Sequence, residues 1–199
     1  MSPINPVVLI HGLNDTVTVF EQMADYLTSL GWSVYRLNLN PNRGNQKLEI
    51  LAQQVQYYIE TTFKPEQSID LVGFSMGGIV TRYYLQRLGG INRVKRYINI
   101  GTPNQGTVTA YLLPNQGICQ MRPDCTFLKE LNQDRQELLK NLRVTTLWSD
   151  YDLMIVPARS SRMGIGKEQQ IPVLFHSWLL SDRRVLKALA EALSEPLDD

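Results

Sequence analysis

The chain has 199 residues, 43% of them hydrophobic and 20% charged, which fits one compact domain with a sizeable core and lies far from disordered, fibrous or membrane compositions. Lysine plus arginine number 20 against 19 aspartates and glutamates, so no positive excess exists to hold a polyanion by counterion release, and nucleic acid is not expected as a partner. The apolar runs fall short of a membrane-spanning length, and the opening MSPINP lacks the basic flank and apolar stretch of a leader, so a soluble, cytoplasmic protein is the expectation.

Short apolar runs alternate with longer stretches of helical period, which predicts a mostly parallel sheet of about six strands with helices on both faces. In chain order the pattern reads as a strand at Val7–Ile10 (VVLI), a helix over 18–30, a strand over 33–38 and a helix over 46–63. A strand at Ile69–Phe74 (IDLVGF) then leads into a helix over 76–88, followed by a strand at Val94–Ile100. The remainder predicts a helix over 126–142, a strand over 144–149, a strand over roughly 170–175 and a closing helix over 182–193. The strands read as buried on both faces. Gly31 and Gly89 stand where C-terminal helix caps belong.

Nothing in the chain looks like a linker or repeat, so a single domain over 1–199 is expected, with a long irregular segment at about 101–125. Long loops in compact domains are often functional. Val108, Tyr111, Leu112 and Leu113 in that segment are too few for a core strand; they either cover a cleft, touch a lipid surface, or pack as an ordinary surface loop. Cys119 and Cys125 lie close together without a histidine pair to complete a zinc site. Two free thiols are expected, with a local disulfide as the alternative and no metal.

The chemistry-bearing signal is Gly73-Phe74-Ser75-Met76-Gly77, a G-x-S-x-G pattern between a β-rich run and a helical one. A serine at such a strand-to-helix turn takes a strained backbone that pushes its hydroxyl out of the fold, at the start of a helix whose free N–H groups favour negative charge. A serine hydroxyl is a poor nucleophile until an imidazole takes its proton and a carboxylate fixes that imidazole. The chain has two histidines. His11 ends the first strand, whereas His176 follows the last, where the chain order Ser, acid, His puts the base. Asp150 and Asp152, just beyond VTTLWS, are both candidates for the acid. An acid one strand earlier is excluded because GTPNQGT carries no carboxylate. Asp70, Asp124 and Asp182 stand in the wrong places and are expected to cap helices, line loops or face solvent.

These residues resemble the lipase and esterase branch of the α/β-hydrolase superfamily, especially the small bacterial lipases of about this length. His11-Gly12-Leu13 is similar to the HG-x turn of those enzymes, and the resemblance implies Leu13 and Met76 as the N–H donors of an oxyanion hole. It makes His11, Gly12 and Asp150 supporting residues. The run Ser149-x-x-Asp152 ahead of Ile155-Val156 resembles the family's acid segment and favours Asp152 over Asp150. Gly101-Thr102-Pro103 through Gly106-Thr107 is similar to another lipase segment, with Asn104 where many relatives have histidine. Asp124-Cys125 likewise replace a frequent Gly-Ser pair in a later one. The resemblance implies a cofactor-free serine hydrolase of carboxylic esters acting through an acyl-enzyme. Small-molecule or lipid esters are the expected substrates, with transient contact at a membrane surface. An acyltransferase or thioesterase with the same triad, and a noncatalytic binder of an apolar ligand, are the competing readings.

Overall fold

The computed structural model describes residues 4–197. The elements run β1 Val7–Ile10, α1 Glu21–Ser29, β2 Val34–Leu37, α2 Leu48–Thr62, β3 Ile69–Phe74, α3 Met76–Arg87, β4 Val94–Ile100, α4 Gln116–Cys119, α5 Thr126–Gln133, α6 Arg135–Leu138, β5 Arg143–Trp148, β6 Lys167–Gln170 and α7 Arg183–Ser194. Single 3-10 turns occur at Val17–Phe20, Val108–Tyr111 and His176–Leu180. The six strands form one sheet in the order β2-β1-β3-β4-β5-β6, with every neighbouring pair parallel.

Alternation along the strands sorts the core into two layers. Val8 and Ile10 of β1 and Ile69 and Leu71 of β3 face α2 and α3, where Leu51, Val55, Ile59, Ile79 and Val80 meet them. Val7, Leu9, Val72 and Phe74 face the other way, onto Met23 and Leu27 of α1 and Val185, Leu189 and Leu193 of α7. Each such side chain contributes roughly 1.5–3 kcal/mol when fully buried. The chain leaves β1 towards β2 on one side and returns with β3 on the other, so the strand order reverses between β1 and β3. A crevice opens outside the carboxyl ends of two strands at such a point.

Three expectations need correction. The strands are not all buried on both faces: β1 and β3 are, but β2 and β6 are sheet edges and largely exposed. The last strand is Lys167–Gln170 rather than 170–175. Ile171 N–H still donates to Trp148 O at 2.8 Å, but Pro172 has no N–H to give, and the chain turns away there. The helix expected over 126–142 breaks at Asp134, whose φ of −111° and ψ of 6° leave the helical region while its carboxylate accepts from Gln86 and pairs with Arg87 at 2.9 Å. No helix among the described residues is long and apolar enough to cross a membrane.

Candidate active site

Ser75 sits between the end of β3 and the start of α3 with φ 53° and ψ −125°, a backbone conformation that side-chain-bearing residues avoid. Hydrogen bonds on both sides hold it there: Ser75 N–H donates to Ile100 O at 2.9 Å, and Gly78 N–H donates to Ser75 O at 3.0 Å. Gly77 is needed for close approach, since a Cβ there would run into the carbonyl groups of Ile10 and His11. The same packing brings the turn after β1 against the serine; a Cβ on Gly12 would lie 2.9 Å from Ser75 Cβ.

His176 opens the turn that follows β6, and its Nδ1 lies 2.6 Å from Asp152 Oδ2. Asp152 is 3% exposed. Its other oxygen, Oδ1, accepts the N–H groups of Met154 at 2.9 Å and Ile155 at 3.1 Å, so the loop carrying the carboxylate also fixes its rotamer. Asp150 is exposed and accepts from Gln170 on β6, away from the imidazole. The His176 ring lies against Phe74, with centroids 4.8 Å apart, and Gly101 at φ 54° leaves the room it occupies, since a Cβ there would come within 3.0 Å of the ring. His176 Nε2 is buried and has no hydrogen-bond partner. It makes no bond to the serine hydroxyl, and such bonds are often long before substrate arrives.

His11 is arranged oppositely. It is fully buried; Nδ1 lies 2.9 Å from Gly12 O, and Nε2 accepts Leu39 N–H at 2.9 Å. Those two contacts require the neutral tautomer with the proton on Nδ1, and burial pushes the pKa down from its ordinary value. The ring therefore ties the turn after β1 to the exit of β2. In that turn Leu13 N–H donates to no described residue, and Met76 N–H, at the first position of α3, has no acceptor within the helix. Both Leu13 and Ser75 line the same cavity.

That cavity, of about 810 Å³, is walled by Val19, Phe74, Ile118, Met121 and Ile155 among others, a mostly apolar lining of the size that small ligands occupy. The 101–125 segment forms one side of it and is stapled to the loop bearing Asp152. Thr107 and Thr109 hydroxyls both donate to Met154 O, at 2.9 Å and 2.7 Å, and Val108 N–H donates to Val156 O at 2.9 Å. Asn104 is locked beneath it, its amide donating to Asn99 Oδ1 at 2.8 Å and Ser161 O at 2.6 Å while accepting from Arg82 at 3.1 Å. Arg82 is wholly buried among neutral acceptors, and burial pushes its pKa down to about 10, so it keeps its charge at neutral pH. Cys119 and Cys125 are free thiols. Asp15, which lines the cavity beside Ser75, was not among the expected site residues. The available signal was a carboxylate two residues beyond Leu13, within the turn that carries the expected N–H donor.

A model of the palmitoyl protein thioesterase family matches residues 6–122, more than half of the chain, and takes in the turn after β1 and the Ser75 elbow but not Asp152 or His176. The mouse lysosomal thioesterase PPT2 is 29% identical over 105 residues, which is 51% of this chain and 34% of that protein. Its bovine counterpart is 32% identical over 107 residues, with the same shares covered. The chain thus spans about a third of the length of the curated relatives it matches. Among solved structures, the Bacillus licheniformis lipase BlEst2 in mature form superimposes with a TM-score of 0.80 at 16% identity, covering 98% of this chain and 94% of that one. That likeness establishes the α/β-hydrolase fold.

Proposed function

The chain belongs to the palmitoyl protein thioesterase family of serine hydrolases, and from that premise we propose that it cleaves long-chain acyl thioesters, with Ser75, His176 and Asp152 as its triad. The observation that carries the reading is the imidazole held through Nδ1 by Asp152 at 2.6 Å, its Nε2 buried and unpartnered at a cavity that Ser75 also lines. Ser75 Oγ attacks the acyl carbonyl while His176 Nε2 takes its proton. Leu13 and Met76 N–H gather the charge that develops on the carbonyl oxygen; each such donor is worth roughly 3–4 kcal/mol in related sites. The proton passes from His176 to the departing sulfur, leaving an acyl-serine that water resolves by the same steps. No cofactor enters. We also treat residues 1–199 as one domain, with 101–125 as the wall that receives the acyl chain.

A second reading, hydrolysis of the oxygen esters of lipids, is supported by the cavity rim. Leu112 is 80% and Leu153 77% exposed there, with half-exposed Leu113, Met154 and Trp178 beside them. Apolar side chains gathered at one mouth suit contact with a lipid surface. Labelling by a fluorophosphonate tests the nucleophile: wild type is expected to label and Ser75→Ala to remain unlabelled. Turnover of matched palmitoyl thioester and palmitoyl oxygen ester then separates the two readings. Labelling of Ser75→Ala, or a preference for acetyl over palmitoyl in both series, would overturn the proposal.

A further inference from the structure

Asp15 ends the turn after β1 and is held from both sides. Asn14, at φ 60°, donates its N–H to Asn42 O at 2.9 Å, and the Asn42 side chain donates to Asp15 O. The carboxylate stands next to the nucleophile: the point where a Gly12 Cβ would sit is 3.1 Å from Asp15 Oδ2 and 3.4 Å from Ser75 Oγ. Partial burial pushes its pKa up from the ordinary carboxylate value, while His176 and the Gly12 N–H pull it the other way. No lysine or arginine pairs with it among the described residues. The cavity lining adds one more carboxylate, Glu21, and neither a lysine nor an arginine.

A half-buried carboxylate without a counter-ion is costly. This one also works against the negative charge that an acyl-transfer intermediate would place near Leu13 and Met76 N–H. A cation brought by the substrate offsets both costs, and the indole of Trp178, a ring type that attracts cations, lines the same cavity. We propose that Asp15 is a specificity-determining residue, which selects substrates whose departing alcohol or thiol carries an ammonium group within a few ångströms of the scissile bond and rejects those with a carboxylate or phosphate there. The proposal rests on Ser75 being the nucleophile.

The test uses three hexanoyl thioesters that differ in leaving-group charge: thiocholine, its neutral isostere 3,3-dimethylbutanethiol, and 3-mercaptopropionate. Wild type is expected to cleave the cationic substrate about tenfold faster in kcat/KM than the neutral one, and the neutral about tenfold faster than the anionic. Asp15→Asn should shrink both ratios to less than about threefold, whereas Asp15→Glu, which keeps the charge, should retain the order. Each ratio compares substrates on one protein, so a variant that is merely less stable leaves it unchanged. Equal rates on all three substrates in wild type, or ratios untouched in Asp15→Asn, would overturn the proposal while leaving the hydrolase reading in place. The same holds if Ser75 takes up a fluorophosphonate yet none of the three is cleaved. A chain unlabelled at Ser75 would remove the nucleophile, and the proposal with it.

Discussion

The turn after β1 and the loop after β6 each carry a histidine beyond the carboxyl end of a strand, yet the two imidazoles are built for opposite work. His11 spends both nitrogens on backbone groups, Gly12 O and Leu39 N–H, and burial keeps it neutral. His176 spends only Nδ1, on Asp152, and leaves Nε2 open and buried. A ring with no free nitrogen is a fastener. A ring held at one nitrogen, with the other free, is equipped to move a proton. Hydrogen-bond accounting, rather than residue type, separates a candidate base from a structural histidine.

The sharpest way to break this contrast is to remove each partner of the open ring. His176→Ala and Ser75→Ala are expected to lower kcat by at least about 10⁴-fold, and the double variant to lose little more, because such residues act as a unit. Residual turnover above about 1% in either single variant would show that the proton goes elsewhere. Asp152→Asn comes next, at roughly 10⁴-fold in kcat, since an amide at that place lets the imidazole settle in the wrong tautomer. Asp150→Asn, bonded only to the edge strand through Gln170, should cost less than about twofold. Steady-state rates near neutral pH decide between them; a reversed ranking would mean that the loop rearranges when substrate binds.

The closed ring predicts a change of a different kind. His11→Ala strands the buried Leu39 N–H and opens a cavity, and should cost about 3 kcal/mol of stability. The rate should fall only about tenfold, with labelling of Ser75 retained, because the contact between His176 and Asp152 is untouched. The pH dependence has a definite sign. The pKa of His11 lies below its ordinary 6.5 in the folded chain, so the unfolded chain binds the proton more readily, and the contribution of His11 is fully present above 6.5 and lost as pH falls through the folded value. Urea unfolding at about pH 7.5 and about pH 5.5 should therefore show the gap between wild type and His11→Ala narrowing in acid. A gap that widens in acid would mean that His11 is charged in the fold and paired with a carboxylate.

The same accounting explains what the sequence disclosed. β1 and β3 follow Val7–Ile10 and Ile69–Phe74 because interior strands are mostly apolar and such runs stand out, and β4 follows Val94–Ile100, where an exposed Lys95 and a half-buried Arg96 lead into a buried YINI. β6 is KEQQ, an edge with little to bury, so the apolar IPVLF behind it drew the expected strand several residues too late. Asp134 interrupts a helical period that sequence alone reads as continuous, since its partners Gln86 and Arg87 lie on another helix. The strand-to-helix turn at Ser75 was legible because strand, glycines and helix meet locally. The choice between Asp150 and Asp152 needed a resemblance, and the structure brings Asp152 to the imidazole. Asp15 was missed because an aspartate in a turn usually only shapes the turn, and its closeness to Ser75 depends on how β1 and β3 pair.

The smallest expected effect concerns the rim of the cavity, where the two regions meet. Leu112 follows the 3-10 turn Val108–Tyr111 of the 101–125 segment, and Leu153 immediately follows Asp152, whose carboxylate holds His176. Both are almost fully exposed and both line the mouth. Neither is held by core packing, so Leu112→Ser and Leu153→Ser should leave the melting temperature within about 2 °C of wild type, as surface changes generally do. If the rim meets a lipid surface, each replacement withdraws apolar area that would be buried there, on the order of 100 Å², or about 2.5 kcal/mol at most. The surface terms are only partly realised when a rim touches a fluid interface, so a loss of about three- to tenfold is expected on palmitoyl substrates presented in vesicles. Short soluble thioesters reach Ser75 without any interface, and their kcat/KM should change less than twofold. Equal losses on both substrates would place these leucines in acyl-chain binding rather than at the rim. A loss larger for Leu153→Ser than for Leu112→Ser on soluble substrates would show that the acid loop has shifted, moving Asp152 and with it the imidazole.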